Sequence, residues 1–282
     1  MTAMPGSADP VNARVCRFPT PHPLDLSVRN QAGTIEITAA DVSETTVEIV
    51  PNDAKGAELA ERTHVQLSED AGRLRIHVPD RKMLRQPALE IIVTVPTGSS
   101  VDVESATADV QIRGGLDSAT VATASADVSL SHVRGRLEVT TASGDIHVGR
   151  GEGPVQVRTA SGDVRMDVSD TEASVQTASG DLIIGRIAGN LAARSASGDV
   201  IVGTASAGSI QAKTMSGDVI IGVAAGLLLW LDVHTLSGDV ASDLGPDDSV
   251  ADDGSEDASD SGPDLRISAS TMSGDILLRR GR

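Results

Sequence analysis

Beyond residue 100 the chain alternates apolar and polar positions in short runs that return at a nearly constant interval. The marker is Ser-Gly-Asp followed by an aliphatic residue, with small variations. It places aspartates at Asp109, Asp127, Asp145, Asp163, Asp181, Asp199, Asp218, Asp239 and Asp275, spaced by 18, 18, 18, 18, 18, 19, 21 and 36 residues. With the aspartate as position 1, position 2 reads Val110, Val128, Ile146, Val164, Leu182, Val200, Val219, Val240 and Ile276. Position 4 reads Ile112, Leu130, Val148, Met166, Ile184, Val202 and Ile221, and Ser242 breaks it. Before the following aspartate comes a second apolar pair around one polar residue, as in Leu137-Glu138-Val139, Val155-Gln156-Val157 and Leu231-Asp232-Val233. A period of two is the pattern of a strand with one buried face, and helical spacing fits nowhere in it. Glycines such as Gly135, Gly149, Gly185 and Gly203 punctuate the corners.

An 18-residue unit is too short to hold a crossover helix, so the strands are expected to stack as coils. Each coil covers the apolar surface that its neighbour cannot bury alone. The predicted fold is therefore all-β, a parallel β-solenoid of about nine coils, rising ~4.8 Å per coil to roughly 43 Å. An antiparallel propeller or barrel would use longer or less regular units.

The flanks read differently. Residues 24–96 lack the period but still alternate over Leu24–Val28, Thr34–Thr38, Thr46–Val50, His64–Leu67, Leu74–Val78 and Leu89–Val95, with a short helix at Asp53–Arg62. This region is expected to close the N-terminal end as a β cap, with no sharp boundary to the solenoid of residues 97–282, because Val101 and Val103 already suit the first coil. The proline-rich residues 1–23 read as a disordered tail. Residues 243–264 hold nine acids and no base, and read as a disordered acidic loop. Arg279, Arg280 and Arg282 put charge on the last coil, where it discourages edge-to-edge pairing.

The repeats Thr141-Ala142-Ser143-Gly144-Asp145-Ile146 and Thr177-Ala178-Ser179-Gly180-Asp181-Leu182, with Gly33-Thr34-Ile35-Glu36-Ile37 near the start, resemble the bacterial putative adhesin family. That family is a β-strand-repeat domain of unknown function, and the resemblance spans roughly residues 24–282. It implies a β-solenoid, with envelope or stress-response roles suggested for some members. It brings no catalytic residues to carry over.

Charge and composition narrow the function. The 282 residues include 40 acids against 23 bases, a net charge of −17, which opposes binding to a phosphate backbone. With only Phe18 and Trp230 as aromatics there are no platforms for base stacking, and Cys16 alone makes no disulfide. Met1 to Pro23 lacks the apolar run of a signal peptide, and the longest apolar stretch, Val223 to Leu231, is too short to span a bilayer. A cytoplasmic location is expected, or a surface one if an export signal lies upstream of this start.

Four sets of residues invite a chemical reading. Stacked aspartates at position 1 would repel by roughly 0.9 kcal/mol per neighbouring pair in bulk water. A row of Ca²⁺ ions could offset this. The simpler answer is that each carboxylate accepts backbone N–H groups at its own corner. The hydroxyls of Thr141, Thr159, Thr177, Ser143, Ser161 and Ser179 recur identically, unlike an activated nucleophile, and suit corner bonding. The six histidines show no metal-ligand spacing, and neither a metal nor a cofactor is expected. Position 3 begins polar (Gln111, Ser129, His147, Arg165) and turns apolar (Ile183, Ile201, Ile220), with Trp230 nearby in sequence. An apolar stripe of that kind calls for a covering loop or a partner.

The expectation is a non-enzymatic scaffold or interaction rod that binds a protein partner or copies of itself. Ile183, Ile201, Ile220 and Trp230 are its candidate contact residues. A cell-surface adhesin is the alternative. A glycan-active β-helix enzyme is a more remote one, opposed by the lack of aromatic sugar platforms.

Overall fold

A computed structural model describes residues 13–68, 72–80, 87–244 and 263–281. In chain order its elements are β1 (Arg14–Pro19), β2 (Asp25–Ala40), β3 (Glu44–Pro51), α1 (Ala54–Arg62), β4 (His64–Ser68), β5 (Arg73–His77), β6 (Leu89–Pro96), β7 (Ser100–Leu116), β8 (Ser118–Ala122), β9 (Val128–Val133), β10 (Leu137–Thr140) and β11 (Ile146–Gly151). There follow β12 (Val155–Arg158), β13 (Val164–Ser169), β14 (Ala173–Gln176), β15 (Leu182–Ile187), β16 (Leu191–Arg194), β17 (Val200–Ala205), β18 (Gly208–Lys213), β19 (Val219–Val223), β20 (Leu229–Ser237), β21 (Val240–Ser242), β22 (Leu265–Ser273) and β23 (Ile276–Arg280).

The 18-residue period becomes two parallel walls joined at a corner. The apolar pair before each aspartate forms one wall, running β8, β10, β12, β14, β16, β18, β22 and β20. The residues after the aspartate form the other, running β9, β11, β13, β15, β17, β19, β23 and β21. Between them the corner serines stack in parallel bridges from Ser125 to Ser273. Positions 2 and 4 point inward, so Val128, Ile146, Val164, Leu182 and their equivalents meet Leu137, Val155 and Leu191 in one continuous aliphatic core. The narrow space between walls suits Val, Ile, Leu and Ala, which is the physical sense of a chain with almost no rings.

Stacking order departs from chain order at both ends. At the C-terminal end β22 and β23 lie between β18/β19 and β20/β21, so the segment latest in sequence is one layer inside the end. At the N-terminal end β2 lies between β7 on one side and β5 with β6 on the other, all parallel. The expected cap therefore supplies two further layers, and the two strands expected at Leu24–Val28 and Thr34–Thr38 are one long bent strand. The layers, named by their strands in stacking order, are β5/β6, β2, β7, β8/β9, β10/β11, β12/β13, β14/β15, β16/β17, β18/β19, β22/β23 and β20/β21. Eleven described layers replace the nine coils counted from the aspartates, and at the same rise per coil the rod is roughly 53 Å long.

Outside β5/β6 the chain turns antiparallel, with β4 on β5, β3 on β6 and β1 on β3. Residues 14–19, expected within the disordered tail, are thus an edge strand. The expected helix forms, with the Asp53 side chain accepting the Gly56 N–H at 2.6 Å as its N-cap. Leu59 and Ala60 of α1 are buried against the core. Arg14 of β1 donates to the carbonyls of Ala60 (3.0 Å) and Thr63 (2.6 Å), which puts a cation at the helix C-terminus. The acidic stretch 243–264 falls almost wholly outside the described residues.

Candidate interaction surface

The repeated corner is built from three residue types with separate tasks. The hydroxyls of Thr141, Thr159 and Thr177 are buried and donate to the carbonyls of Ser143, Ser161 and Ser179 at 2.9–3.1 Å. The following glycine has no alternative. Gly162 sits at φ +129°, and a Cβ there would overlap the carbonyl oxygen of Gly144 in the layer below. The aspartate then closes the corner. Asp145 Oδ1 accepts the Asp163 N–H at 2.9 Å, Asp163 Oδ1 accepts that of Asp181 at 2.8 Å, and Asp181 Oδ1 that of Asp199 at 2.9 Å.

The ladder continues from Asp109 to Asp127 and Asp145, and from Asp199 through Asp218 and Asp275 to Asp239, following stacking order. The acceptor role expected for these side chains is present in all but the terminal Asp239, and there the bond is to the next layer's backbone rather than to the residue's own corner. A charge-assisted bond at every step offsets the repulsion between neighbouring carboxylates. Among the described residues no group of three or more His, Cys, Asp or Glu is arranged to hold a metal ion.

Beside the ladder a groove of about 530 Å³ runs along the flank, with Asp109, Asp127, Asp145 and Asp163 on one rim. Gln111, Ser129, His147, Arg165 and Ile183 form the other rim, and Val110, Val128 and Ile146 the floor. Thr34, Ile35 and Glu36 of β2 extend it by one layer, so it spans six layers and five steps of ~4.8 Å, roughly 24 Å. His147 Nε2 and Arg165 Nε both reach the Asp167 carboxylate, at 3.0 and 3.1 Å, so that rim is held by its own polar contacts. In each of the four rim aspartates one carboxylate oxygen is committed to backbone and the other is not, which leaves their rim acidic.

Past Ile183 the groove gives way to the stripe. Ile183, Ile201 and Ile220 are aligned on β15, β17 and β19, and all are half-buried. The next residue in the row is Leu277 of β23, also half-buried. Chain position hid it, because it arrives 57 residues after Ile220 and only the inserted layer brings the two together. Trp230 is not part of this surface. It lies on β20 in the other wall, half exposed, with the Arg266 guanidinium 5.9 Å from its ring centre.

A second groove, of about 580 Å³, lies near the N-terminal end and went unmarked in the sequence because its residues come from separate layers. Asp25, Arg29, Arg73, Arg75 and Asp102 line it. Arg73 pairs with Asp25 at 3.4 Å, and Arg29 with Glu104 at 2.7 Å. The Asp102 carboxyl is pushed above its ordinary value, first by partial removal from water and then by Glu104, against the pull of Arg29.

A family model described as Toastrack DUF4097 matches residues 24–279. The chain belongs to this family. No curated protein matches the Toastrack chain. Among solved structures, a putative adhesin of Parabacteroides merdae is similar at 8% identity and a TM-score of 0.56, covering 95% of this chain and 96% of that one. That likeness shows a shared fold. A putative adhesin of Bacteroides fragilis has 16% identity and a TM-score of 0.48, and a putative lipid binding protein of Parabacteroides distasonis has 13% and 0.49. Each covers 95% of this chain and 97% of its own. These proteins are described as adhesins or binding proteins, not as enzymes. Among the described residues no helix is long and apolar enough to cross a membrane.

Proposed function

We propose that the protein is a non-enzymatic interaction rod that presents its flank to a protein partner. The observation that carries this reading is the row Ile183, Ile201, Ile220 and Leu277, four half-buried aliphatic side chains on consecutive layers, continuous with an acidic-rimmed groove. A rigid ladder of this kind holds its side chains in fixed positions, so a partner meets a surface that is already ordered. The chemistry that fits is an extended segment with aliphatic residues for the stripe and basic residues for the aspartate rim. A photo-crosslinking residue in place of Ile201, in cells, should give one discrete adduct. The adduct should vanish when Ile183→Asp and Ile220→Asp are added, with the melting temperature kept within a few degrees. No adduct, or one indifferent to those changes, overturns the reading.

A surface adhesin is the second reading, favoured by the similar fold of the Parabacteroides merdae protein. Protease applied to intact cells separates the two. Degradation supports adhesion at the surface, and protection in the soluble fraction supports a partner inside the cell.

A further inference from the structure

Exposed apolar surface is unevenly placed on this rod. Of the eight large hydrophobic side chains exposed among the described residues, Met215, Leu228, Trp230, Leu231, Leu236, Val240 and Met272 all belong to the last three layers. Five of these seven sit on the outermost layer, between Leu228 and Val240. Leu231 and Val240 hold positions that are buried in every inner repeat, such as Leu137 and Ile146.

The outer edge of that layer also carries unpaired backbone. The Leu265 N–H donates to the Leu228 carbonyl at 3.2 Å, so the backbone groups of Leu228 face β22. By strand alternation those of Leu229, Leu231, Val233 and Thr235 face outward, where no described strand pairs with them. At the opposite end of the rod α1 and three antiparallel strands cover the core, so the strand edges there, β1 and β4, bring no open core to meet Leu231 and Val240 head to tail.

We propose that two copies of the chain join end to end through β20, antiparallel about a two-fold axis at Val233. The sequence of the strand is self-complementary in that register. Trp230 faces Leu236 of the second copy, Asp232 faces its His234, and each pair occurs twice. Leu231, Val233 and Thr235 have outward backbone groups, so they form the hydrogen-bonded pairs that an antiparallel ladder requires, while the Asp–His pairs fall at the closer, non-hydrogen-bonded positions and the Trp–Leu pairs close the two ends of the ladder, where Leu236 begins the corner. His234 Nε2 already lies 2.6 Å from Asp232 Oδ1 within one chain, so the junction gathers two carboxylates and two imidazoles into one cluster in which each acid has an imidazole on either side. A two-fold axis normal to the sheet keeps both apolar faces on the same side, and the exposed ends of two cores cover one another. The result is a closed dimer, one rod twice as long.

This deepens the self-association side of the interaction-rod reading and uses a surface separate from the isoleucine flank. Sedimentation velocity of the full chain over a concentration series should show a monomer–dimer equilibrium with an elongated dimer. It should strengthen with salt, because two chains of net charge −17 repel each other. His234→Asp places four acids at the junction and Asp232→Lys replaces its acids with bases. Each alone should weaken the dimer at least about tenfold, and a mixture of the two should recover it as a heterodimer. Trp230→Lys with Leu236→Lys should also give monomer, at the melting temperature that the parent shows when diluted to monomer, since both side chains are exposed. A wild-type chain that stays monomeric at its highest soluble concentration overturns the proposal, as does a dimer that ignores these substitutions. The Ile201 crosslink, repeated in the Trp230→Lys/Leu236→Lys background, reports on the flank alone, so failure of one reading is seen apart from failure of the other.

Discussion

A single aspartate in the ladder does two opposed things: it accepts the N–H of the layer above and it repels the carboxylates on either side. For Asp163 the bond to Asp181 is 2.8 Å, and its neighbours in the ladder are Asp145 and Asp181. If the acceptor role dominates, Asp163→Ala should lower stability by about 1 kcal/mol. Asp163→Asn keeps an acceptor and removes a charge, so it should stay within about 0.5 kcal/mol of the parent. Chemical denaturation of the two variants decides between them. A Ca²⁺-dependent rise in melting temperature, lost in Asp163→Asn with Asp181→Asn, would instead make the ladder a cation site.

Asp102 gives a residue-scale prediction with a pH sign. Its carboxyl is raised above 3.8 in the fold, so ionisation costs stability. The cost is absent below the ordinary carboxylate range and fully present above the raised value. Asp102→Asn should therefore melt slightly higher than the parent at neutral pH, and the advantage should disappear below about pH 4. Thermal melts at two pH values check it, and a variant less stable at neutral pH contradicts the burial argument.

At the scale of elements, the two ends show what stacking order adds to chain order. Were the coils stacked as they occur in sequence, removing everything after residue 244 would strip one outer layer. In the structure it removes the layer that joins β18/β19 to β20/β21, so the truncated chain should lose protection over residues 229–242 as well as the deleted strands. Hydrogen exchange on the truncated protein should show those amides unprotected while residues 137–205 keep their protection. Retained protection at 229–242 would mean that this layer can dock directly on β18/β19. The same insertion explains why Leu277 was not legible as part of the stripe. Its neighbour in space, Ile220, is remote in sequence, and nothing in the spacing of 36 residues reveals that a later coil sits beneath an earlier one.

For the whole molecule, the two ends are chemically unlike. The N-terminal end spends a helix and three antiparallel strands on closing the core. The C-terminal end leaves Leu231 and Val240 open, although the same positions are sealed everywhere else. Edge strands left in this state are the surfaces through which sheets recruit further strands, and a protein that keeps one has a use for it or a cover for it. The isoleucine flank and the β20 edge lie on different walls of the rod, so the proposed partner contact rests on the first and the proposed paired rod on the second.

The sequence alone determined the solenoid, the direction of its side chains, the corner role of the threonine hydroxyls and glycines, the short helix and the alignment of Ile183, Ile201 and Ile220, but it put each aspartate's bond at its own corner and not on the next layer. All of these follow from a local period of 18, which fixes what lies directly above what. Only the tertiary structure decided the order of layers at the two ends, the recruitment of Arg14–Pro19 as a strand, the place of Leu277 in the stripe and the separation of Trp230 from it. Those depend on pairing between segments far apart in the chain. Any coil of this repeat presents nearly the same edge as any other, so the local pattern is satisfied by several stackings, and the choice among them is made by how the ends pack.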